Sequence, residues 1–327
     1  HAKSEFLSRM SHDIRTPMNA ILGMTSIAEK QLGDPDKLAD CLGKIRISGN
    51  HLLGLINEVL DMSKIESGNV SLSENTFLVS DTLNTVMQII RSDAESKEQQ
   101  IVLRSDLRHD AVHGDFMRVQ QILLNLLSNA VKYTGTGGHI SLTAEERVSG
   151  RSGVGCFEFT VEDDGIGMPP EFLDKLFTPF ERAKDARVSG VQGTGLGLAI
   201  THNLVQMMNG TIRVESQPDK GTRFIVTIFL KLAGEDAREA GSCSGSPARQ
   251  GEAFPPGTRL LLVEDNDLNR EIARELLEGA GAQVECVENG QACVDRFTDA
   301  GAGYFDLILM DIQMPVLNGY EAARRIR

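Results

Sequence analysis

The sequence predicts a multidomain chain in three parts: an all-α helical hairpin, a mixed α/β domain, and the N-terminal part of a doubly wound α/β unit. Three observations carry this. Two long apolar stripes at three-to-four-residue spacing open the chain, and short β-type runs alternate with helical stretches through its middle. A stretch rich in Gly, Ser, Ala, Glu and Pro then separates off a last segment in which strands and helices alternate. The length of 327 residues likewise asks for two or three domains.

The first stripe, over residues 3–32, holds Phe6, Met10, Ile14, Pro17, Ile21, Met24 and Ala28. Asp34-Pro35 breaks it and starts a second helix, because proline is welcome only in a first turn. Leu38, Leu42, Ile45, Leu52, Ile56 and Val59 form the second stripe, which ends at Ser67-Gly68. Stripes this narrow close a core only in a four-helix bundle, so a homodimer through residues 1–68 is expected.

Residues 72–232 form the second domain, with strands expected at 101–103, 139–142, 157–161, 212–214 and 224–230. Helices are expected near 80–97, 115–132 and 195–209. Residues 233–257, almost without large apolar side chains, read as a flexible linker. In 258–327 the expected order is strand 260–263, helix 267–279, strand 284–287, helix 290–299, strand 305–310 and a helical start at Asn318. That alternation means a parallel, doubly wound sheet.

Composition narrows the function. Hydrophobic residues make up 41% and charged residues 24%, as in soluble globular proteins. Lys plus Arg is 33 against 46 Asp plus Glu, a formal charge of −13 without any basic run, which argues against direct nucleic-acid binding. No stretch reaches the ~20 apolar residues that span a bilayer, so a cytoplasmic location is expected, with membrane contact only through segments upstream. The five scattered cysteines lack any C-x-x-C and read as reduced thiols. Opening at His1 in mid-pattern, the chain reads as a segment of a longer protein.

Five groups of residues carry chemistry. In Ser11-His12-Asp13-Ile14-Arg15-Thr16-Pro17, helical geometry turns His12 away from the Met10/Ile14/Ile21 stripe, with a carboxylate beside it and Thr16 one turn on. An adjacent carboxylate can hold the imidazole tautomer and raise the nucleophilicity of the free nitrogen. Asn125 and Asn129, in Asn125-Leu126-Leu127-Ser128-Asn129-Ala130-Val131-Lys132-Tyr133, share one helical face and can reach one ion or phosphate. Asp163-Asp164-Gly165-Ile166-Gly167 follows a strand; a carboxylate there can accept from an exocyclic amine while glycines let the backbone approach a base. Gly193-Thr194-Gly195-Leu196-Gly197 opens a helix, where bare amides can meet phosphate oxygens. Finally, Glu264 and Asp265 end one strand and Asp311 another; three converging carboxylates call for a hard cation such as Mg2+.

The heptapeptide around His12 resembles the H-box of sensor histidine kinases. The segment 125–133 is similar to the N-box of the kinase ATPase domain, 163–167 to its G1 box, Phe177-Thr178-Pro179-Phe180 to its F-box and 193–197 to its G2 box. The resemblance implies an α/β sandwich that binds ATP, with Mg2+ on Asn129, a supporting contact from Asn125, and Lys132 and Tyr133 lining the nucleotide. It implies that Asp163 reads adenine N6, flanked by Gly165 and Gly167, and that Gly193, Thr194, Gly195, Leu196 and Gly197 meet the phosphates. The polar stretch 181–192 is expected as a lid, with Arg182 and Lys184 within reach of phosphates. Val263-Glu264-Asp265-Asn266 and Met310-Asp311-Ile312-Gln313-Met314-Pro315 resemble response-regulator receivers, which implies metal at Glu264 and Asp265 and phosphoacceptance at Asp311. Such receivers have five strands, whereas this chain reaches three before Arg327, so phosphoacceptance is expected of a longer parent.

The resemblance thus implies a hybrid histidine kinase of a two-component phosphorelay. His12 takes the phosphoryl group of ATP with Asp13 as base or orienter, then passes it to Asp311, a separate response regulator or a histidine phosphotransfer protein. The acid-x-x-Thr pattern from Asp13 to Thr16 implies a receiver phosphatase as well, and the longer parent is expected at the inner face of the cell membrane. Two other readings stand beside it. A gyrase-, Hsp90- or MutL-like ATPase would carry a Glu where Asn125 stands, and a regulatory scaffold would have lost residues that this chain keeps.

Overall fold

The computed structural model describes residues 2–67, 72–181, 194–233, 254–301 and 303–327. The expected lid lies outside the described residues except for Glu181, and so does the expected linker except for Ala233 and 254–257.

The chain forms two compact units, dividing between Ser242 and Cys243. In the first, α1 (Ala2–Glu29) and α2 (Pro35–Glu66) make the hairpin that the two stripes predict. Pro17 lies inside α1 and is buried, while Asp34 caps α2 by accepting from the Lys37 amide at 3.3 Å. Met10 and Ala28 are buried from α1, and from α2 the buried positions are Cys41 and Leu55. Leu42 and Ile56, counted in the second stripe, are instead exposed at 54% and 40%, beside an exposed Leu22, Ile47 and Leu53. A single hairpin therefore leaves a large part of its apolar surface in water.

The rest of the first unit is a sheet covered by helices. It contains β1 (Asn75–Leu78), α3 (Val79–Glu95), β2 (Gln100–Asp106), β3 (Ala111–Gly114), α4 (Phe116–Tyr133), β4 (His139–Arg147) and β5 (Val154–Asp163). A short α5 (Pro170–Leu173), α6 (Gly197–Met207), β6 (Thr211–Ser216) and β7 (Thr222–Leu232) complete it. Strand order is β1-β3-β7-β5-β4-β2, with β6 also on β7; only β2 and β4 run parallel. Alternate residues of β4, β5 and β7 point into a core with the apolar faces of α3, α4 and α6. Phe157, Phe159 and Leu123 are among its fully buried side chains, each worth about 1.5–3 kcal/mol of burial. The sequence reading missed β1, β3 and α5, each four residues long.

The second unit holds β8 (Arg259–Val263), α7 (Asp267–Gly279), β9 (Gln283–Val287), α8 (Gly290–Ala300), β10 (Leu307–Met310) and α9 (Gly319–Ile326). Its parallel sheet has the order β10-β8-β9. Asn266, Asn289 and Asn318 each cap the following helix through their side-chain oxygens. Phe254, inside the stretch expected as linker, already belongs to this unit, since its amide donates to Ala280 O at 2.8 Å.

Candidate functional site

Four segments of the α/β domain and one face of α2 surround a cavity of about 410 Å³. Its floor is α4. Asp115 caps that helix, and Val119, Ile122, Leu123, Leu126, Leu127, Ala130 and Val131 commit one face to the core. The opposite face carries Asn125, Asn129 and Lys132 one turn apart, and all three line the cavity together with Tyr133. The Lys132 ammonium stands 5.2 Å from the Tyr133 ring centre. Asn125 uses its amide as a brace: Nδ2 donates to Thr201 Oγ1 of α6 at 2.6 Å. Gly197 permits this approach, because a Cβ there would stand 2.5 Å from Asn125 Oδ1.

The second wall is the turn after β5. Asp163, the last residue of the strand, is 9% exposed and opens on the cavity. Its Oδ1 accepts from the Gly165 amide at 2.9 Å, and the Thr222 amide, opposite it in the β5–β7 register, also donates to the carboxylate. Burial pushes its pKa up to about 6, reinforced by Asp164 and Glu162 and opposed by the two amides. Asp164 points elsewhere: it accepts from the His139 amide at 2.8 Å and pairs with the His139 ring at 2.9 Å. Burial acts to raise Asp164 too, but the His139 contacts outweigh it and hold this carboxyl low. Gly167 lines the cavity. Gly165 sits behind it, where a Cβ would come within 2.5 Å of the Tyr133 carbonyl oxygen.

Thr194, Gly195 and Gly197 form the third wall, while Gly193 lies outside the described residues. Leu196, expected among the binding residues, does not line the cavity with its side chain, which is fully buried in the core, while its amide donates to Thr194 Oγ1 at 3.1 Å. Thr222 and Phe224 of β7 supply the fourth wall. The Thr222 hydroxyl stands 3.0 Å from Ser216 Oγ, which accepts from the Met168 amide at 2.8 Å.

The α2 side holds what sequence reasoning missed. Asn50, His51, Gly54, Leu55 and Glu58 line the same cavity. Thr194 donates its hydroxyl to Glu58, whose carboxyl is raised chiefly by burial. One turn on, Asp61 accepts from Gln121 Nε2 of α4 at 2.7 Å and pairs with Arg118 at 3.5 Å. No local signal marks Glu58 and Asp61, polar positions on an amphipathic helix that are far along the chain from their partners.

His12 lies in α1, but its side chain is outside the described residues. Asp13 beside it is half-buried and Thr16, one turn on, is exposed. In the second unit the pairing Met310↔Val263 brings the strand ends together. Ligand oxygens of Glu264, Asp265 and Asp311 there lie within 4.8 Å of one another. That spacing and all-oxygen chemistry fit a small divalent cation. Asp311 and Asp265 are exposed, and Asp311 Oδ1 accepts from the Gln313 amide at 3.1 Å.

Three families match along the chain. Residues 2–68 match the His Kinase A (phospho-acceptor) domain, 114–233 the histidine kinase-, DNA gyrase B- and HSP90-like ATPase, and 260–327 the response regulator receiver domain. The chain is 35% identical over 326 residues to the autoinducer 2 sensor kinase/phosphatase LuxQ of Vibrio vulnificus, across 99% of this chain and 37% of that protein. To the virulence sensor protein BvgS of Bordetella bronchiseptica it is 34% identical over 332 residues, across 100% and 26%. It thus spans 37% or less of the length of these two relatives. Among solved structures, full-length ShkA in complex with AMPPNP is similar at a TM-score of 0.52 and 26% identity, over 98% of this chain and 90% of that one. Histidine kinase ThkA in complex with response regulator protein TrrA is similar at 0.50 and 26%, over 69% and 61%.

The raised pKa of Asp163 has a direct consequence for stability. An unfolded aspartate titrates near 3.9, so the carboxyl is neutral in both states at lower pH, and the folded state loses stability as pH rises through about 6. Asp163→Asn keeps an acceptor for the Gly165 amide without the buried charge. We expect it to stabilise the ligand-free protein at pH 7 by about 1–2 kcal/mol in chemical unfolding, with the gain gone by about pH 4. A variant no more stable than the parent at pH 7 contradicts a buried, raised carboxyl.

Proposed function

The chain belongs to the hybrid histidine kinases, and on that premise we propose that it transfers the γ-phosphoryl group of ATP to His12 and passes it on to a receiver aspartate. The observation that carries this reading is the convergence of Asn129, Lys132, Asp163, Gly167, Thr194 and Gly195 from separate segments on one cavity. An adenine fits the apolar end beside Ile166, Met168 and Phe172, with its exocyclic amine donating to the Asp163 carboxylate. Phosphates fit the other end, where Thr194, Gly195 and Gly197 stand near the start of α6. Asn129 offers a single amide oxygen on that wall, which suits Mg2+ held mainly by phosphate oxygens and water. Bound there, the ion would neutralise charge on the phosphates.

In the transfer, an imidazole nitrogen of His12 forms a bond to the γ-phosphorus as the bond from that phosphorus to the β,γ-bridging oxygen breaks, and ADP leaves. Asp13 orients the ring and accepts its proton. A carboxylate oxygen of Asp311 in a longer parent, or of a separate response regulator, then attacks the phosphorus and the N–P bond breaks. Glu264 and Asp265 would hold the Mg2+ that screens this second transfer. Transfer to a histidine phosphotransfer protein would follow the same chemistry in reverse.

Residues 1–68 serve as the dimerisation and phosphotransfer domain, 72–232 as the ATP-binding domain and 258–327 as the N-terminal part of a receiver. A second copy is the occupant that the exposed Leu22, Ile47 and Leu53 call for, since four helices close what two leave open. No helix among the described residues is long and apolar enough to cross a membrane. The work is assigned to the cytoplasmic side of a membrane-anchored parent. Against a water-attacking ATPase stands Asn125, which takes the place of a basic Glu and is occupied with Thr201.

Two variants test the assignment. His12→Gln should abolish the acid-labile label that ATP leaves on the protein, while ATP affinity by calorimetry stays within about twofold. A variant that still acquires this label moves the nucleophile elsewhere. Thr16, exposed one turn from His12, is proposed to orient water against a docked aspartyl-phosphate. Thr16→Ala should slow dephosphorylation of a separately supplied, complete receiver by about tenfold or more. Equal loss of labelling and dephosphorylation would assign Thr16 a structural part alone.

A further inference from the structure

The last turn of α4 carries Lys132 and Tyr133 into the nucleotide cavity, yet the end of a helix is its least constrained part, because its final carbonyls lack intrahelical partners. Here each of them has a donor from elsewhere. The Tyr133 carbonyl accepts from the Ile166 amide, in the glycine turn after Asp163, at 3.3 Å. The others are served by the turn between α3 and β2. Lys97 Nζ donates to Val131 O at 2.8 Å and to Lys132 O at 3.4 Å. Gln99 Nε2 donates to Val131 O at 3.1 Å, Thr134 O at 2.8 Å and Gly135 O at 3.3 Å.

This turn is itself built to hold those two side chains. Glu98 between them adopts a left-handed φ of 55°, and the Gln99 amide donates back to Ala94 O at 3.0 Å. The Gly137 amide donates to Lys97 O at 3.1 Å and the Gln100 amide to Gly138 O at 2.9 Å, so turn and helix end are laced together on both sides. Gln99 is 6% exposed, and its Oε1 finds no partner among the described residues. A buried amide kept with one end unsatisfied is there for its other end. The Lys97 ammonium also sits at the negative pole of the α4 dipole, where a cation is favourable.

We propose that Lys97 and Gln99 are positioning residues for nucleotide binding. Neither side chain lines the cavity; they set the register of the α4 terminus against the Asp163 turn, and so the placement of Lys132 and Tyr133 relative to the Asp163 carboxylate. The inference rests on the ATP-binding reading above. Without Lys97 the last turn frays, the Tyr133 carbonyl slips from the Ile166 amide, and the two sides of the adenine site lose their mutual spacing. The γ-phosphate end, held by residues 194–197 and Asn129, is left in place.

The test uses the full chain with Lys97→Met, Gln99→Met and Lys97→Arg, the last keeping N–H donors for the same carbonyls. Lys97→Met and Gln99→Met should each raise KM for ATP by about tenfold while labelling of His12 at saturating ATP stays within about twofold, and Lys97→Arg should restore KM. Amide exchange in residues 164–167 should quicken in the two Met variants and return to the parent's rate in Lys97→Arg. An unchanged KM in both Met variants, or a parallel fall of labelling rate and affinity that Lys97→Arg does not rescue, overturns the proposal. If the parent chain takes no label from ATP, the kinase reading fails on its own, and amide exchange alone decides: unchanged exchange overturns the positioning role, faster exchange supports it.

Discussion

A carboxylate held out of water at the end of a central strand is the constraint around which the first unit is arranged. Asp163 closes β5, where burial disfavours its charge, and two backbone amides, from Gly165 and Thr222, partly offset that penalty. The Thr222 amide is present because β5 and β7 pair in a register that sets Asp163 opposite Thr222. The Gly165 amide is present because the chain turns sharply against the Tyr133 carbonyl, an approach that only glycine allows. Such a group weakens the fold, which is the expected signature of a side chain retained for a ligand.

From this point the geometry spreads outward through α4. One face of the helix is locked into the core, and its terminus is tied both to the Asp163 turn and to the turn between α3 and β2. The helix therefore sets the distance between Lys132 and Tyr133 at one end of the cavity wall and Asn125 and Asn129 further back along it. Asn125 carries the constraint into α6 through Thr201, and Glu58 extends it to α2 through Thr194. The α1–α2 hairpin thus contributes to the wall of the cavity, so hairpin and α/β domain share it.

Much of this was legible in the sequence, and the exceptions have physical causes. The long helices announced themselves by periodicity, and α7 lies at Asp267–Gly279, the range expected. The polar motifs on α4 and after β5 were legible because glycines and paired asparagines have local meaning. β1 and β3 were not: they are four residues each, pair with one another, and Ala-Val-His-Gly has little strand character of its own. Thr222 and Ser216 take their place from strand register, and Glu58 from the contact of α2 with Thr194, neither of which any local pattern encodes. The side chain of Leu196 belongs to the core, which membership of a glycine motif does not reveal. Leu42 and Ile56 belong to the apolar stripe yet face outward, since a stripe records that a face is apolar but not which partner covers it.

The central claim is that the buried Asp163 carboxylate, in its charged form, receives the amine of ATP. The most direct measurement is calorimetric affinity for ATP between pH 5 and 8, compared between the parent chain and Asp163→Asn. With a carboxyl near 6, the parent should bind about tenfold more weakly at pH 5 than at pH 7, beyond any change seen in Asp163→Asn. Parallel pH profiles for the two proteins would contradict the account, because the titrating group that governs binding would then lie elsewhere.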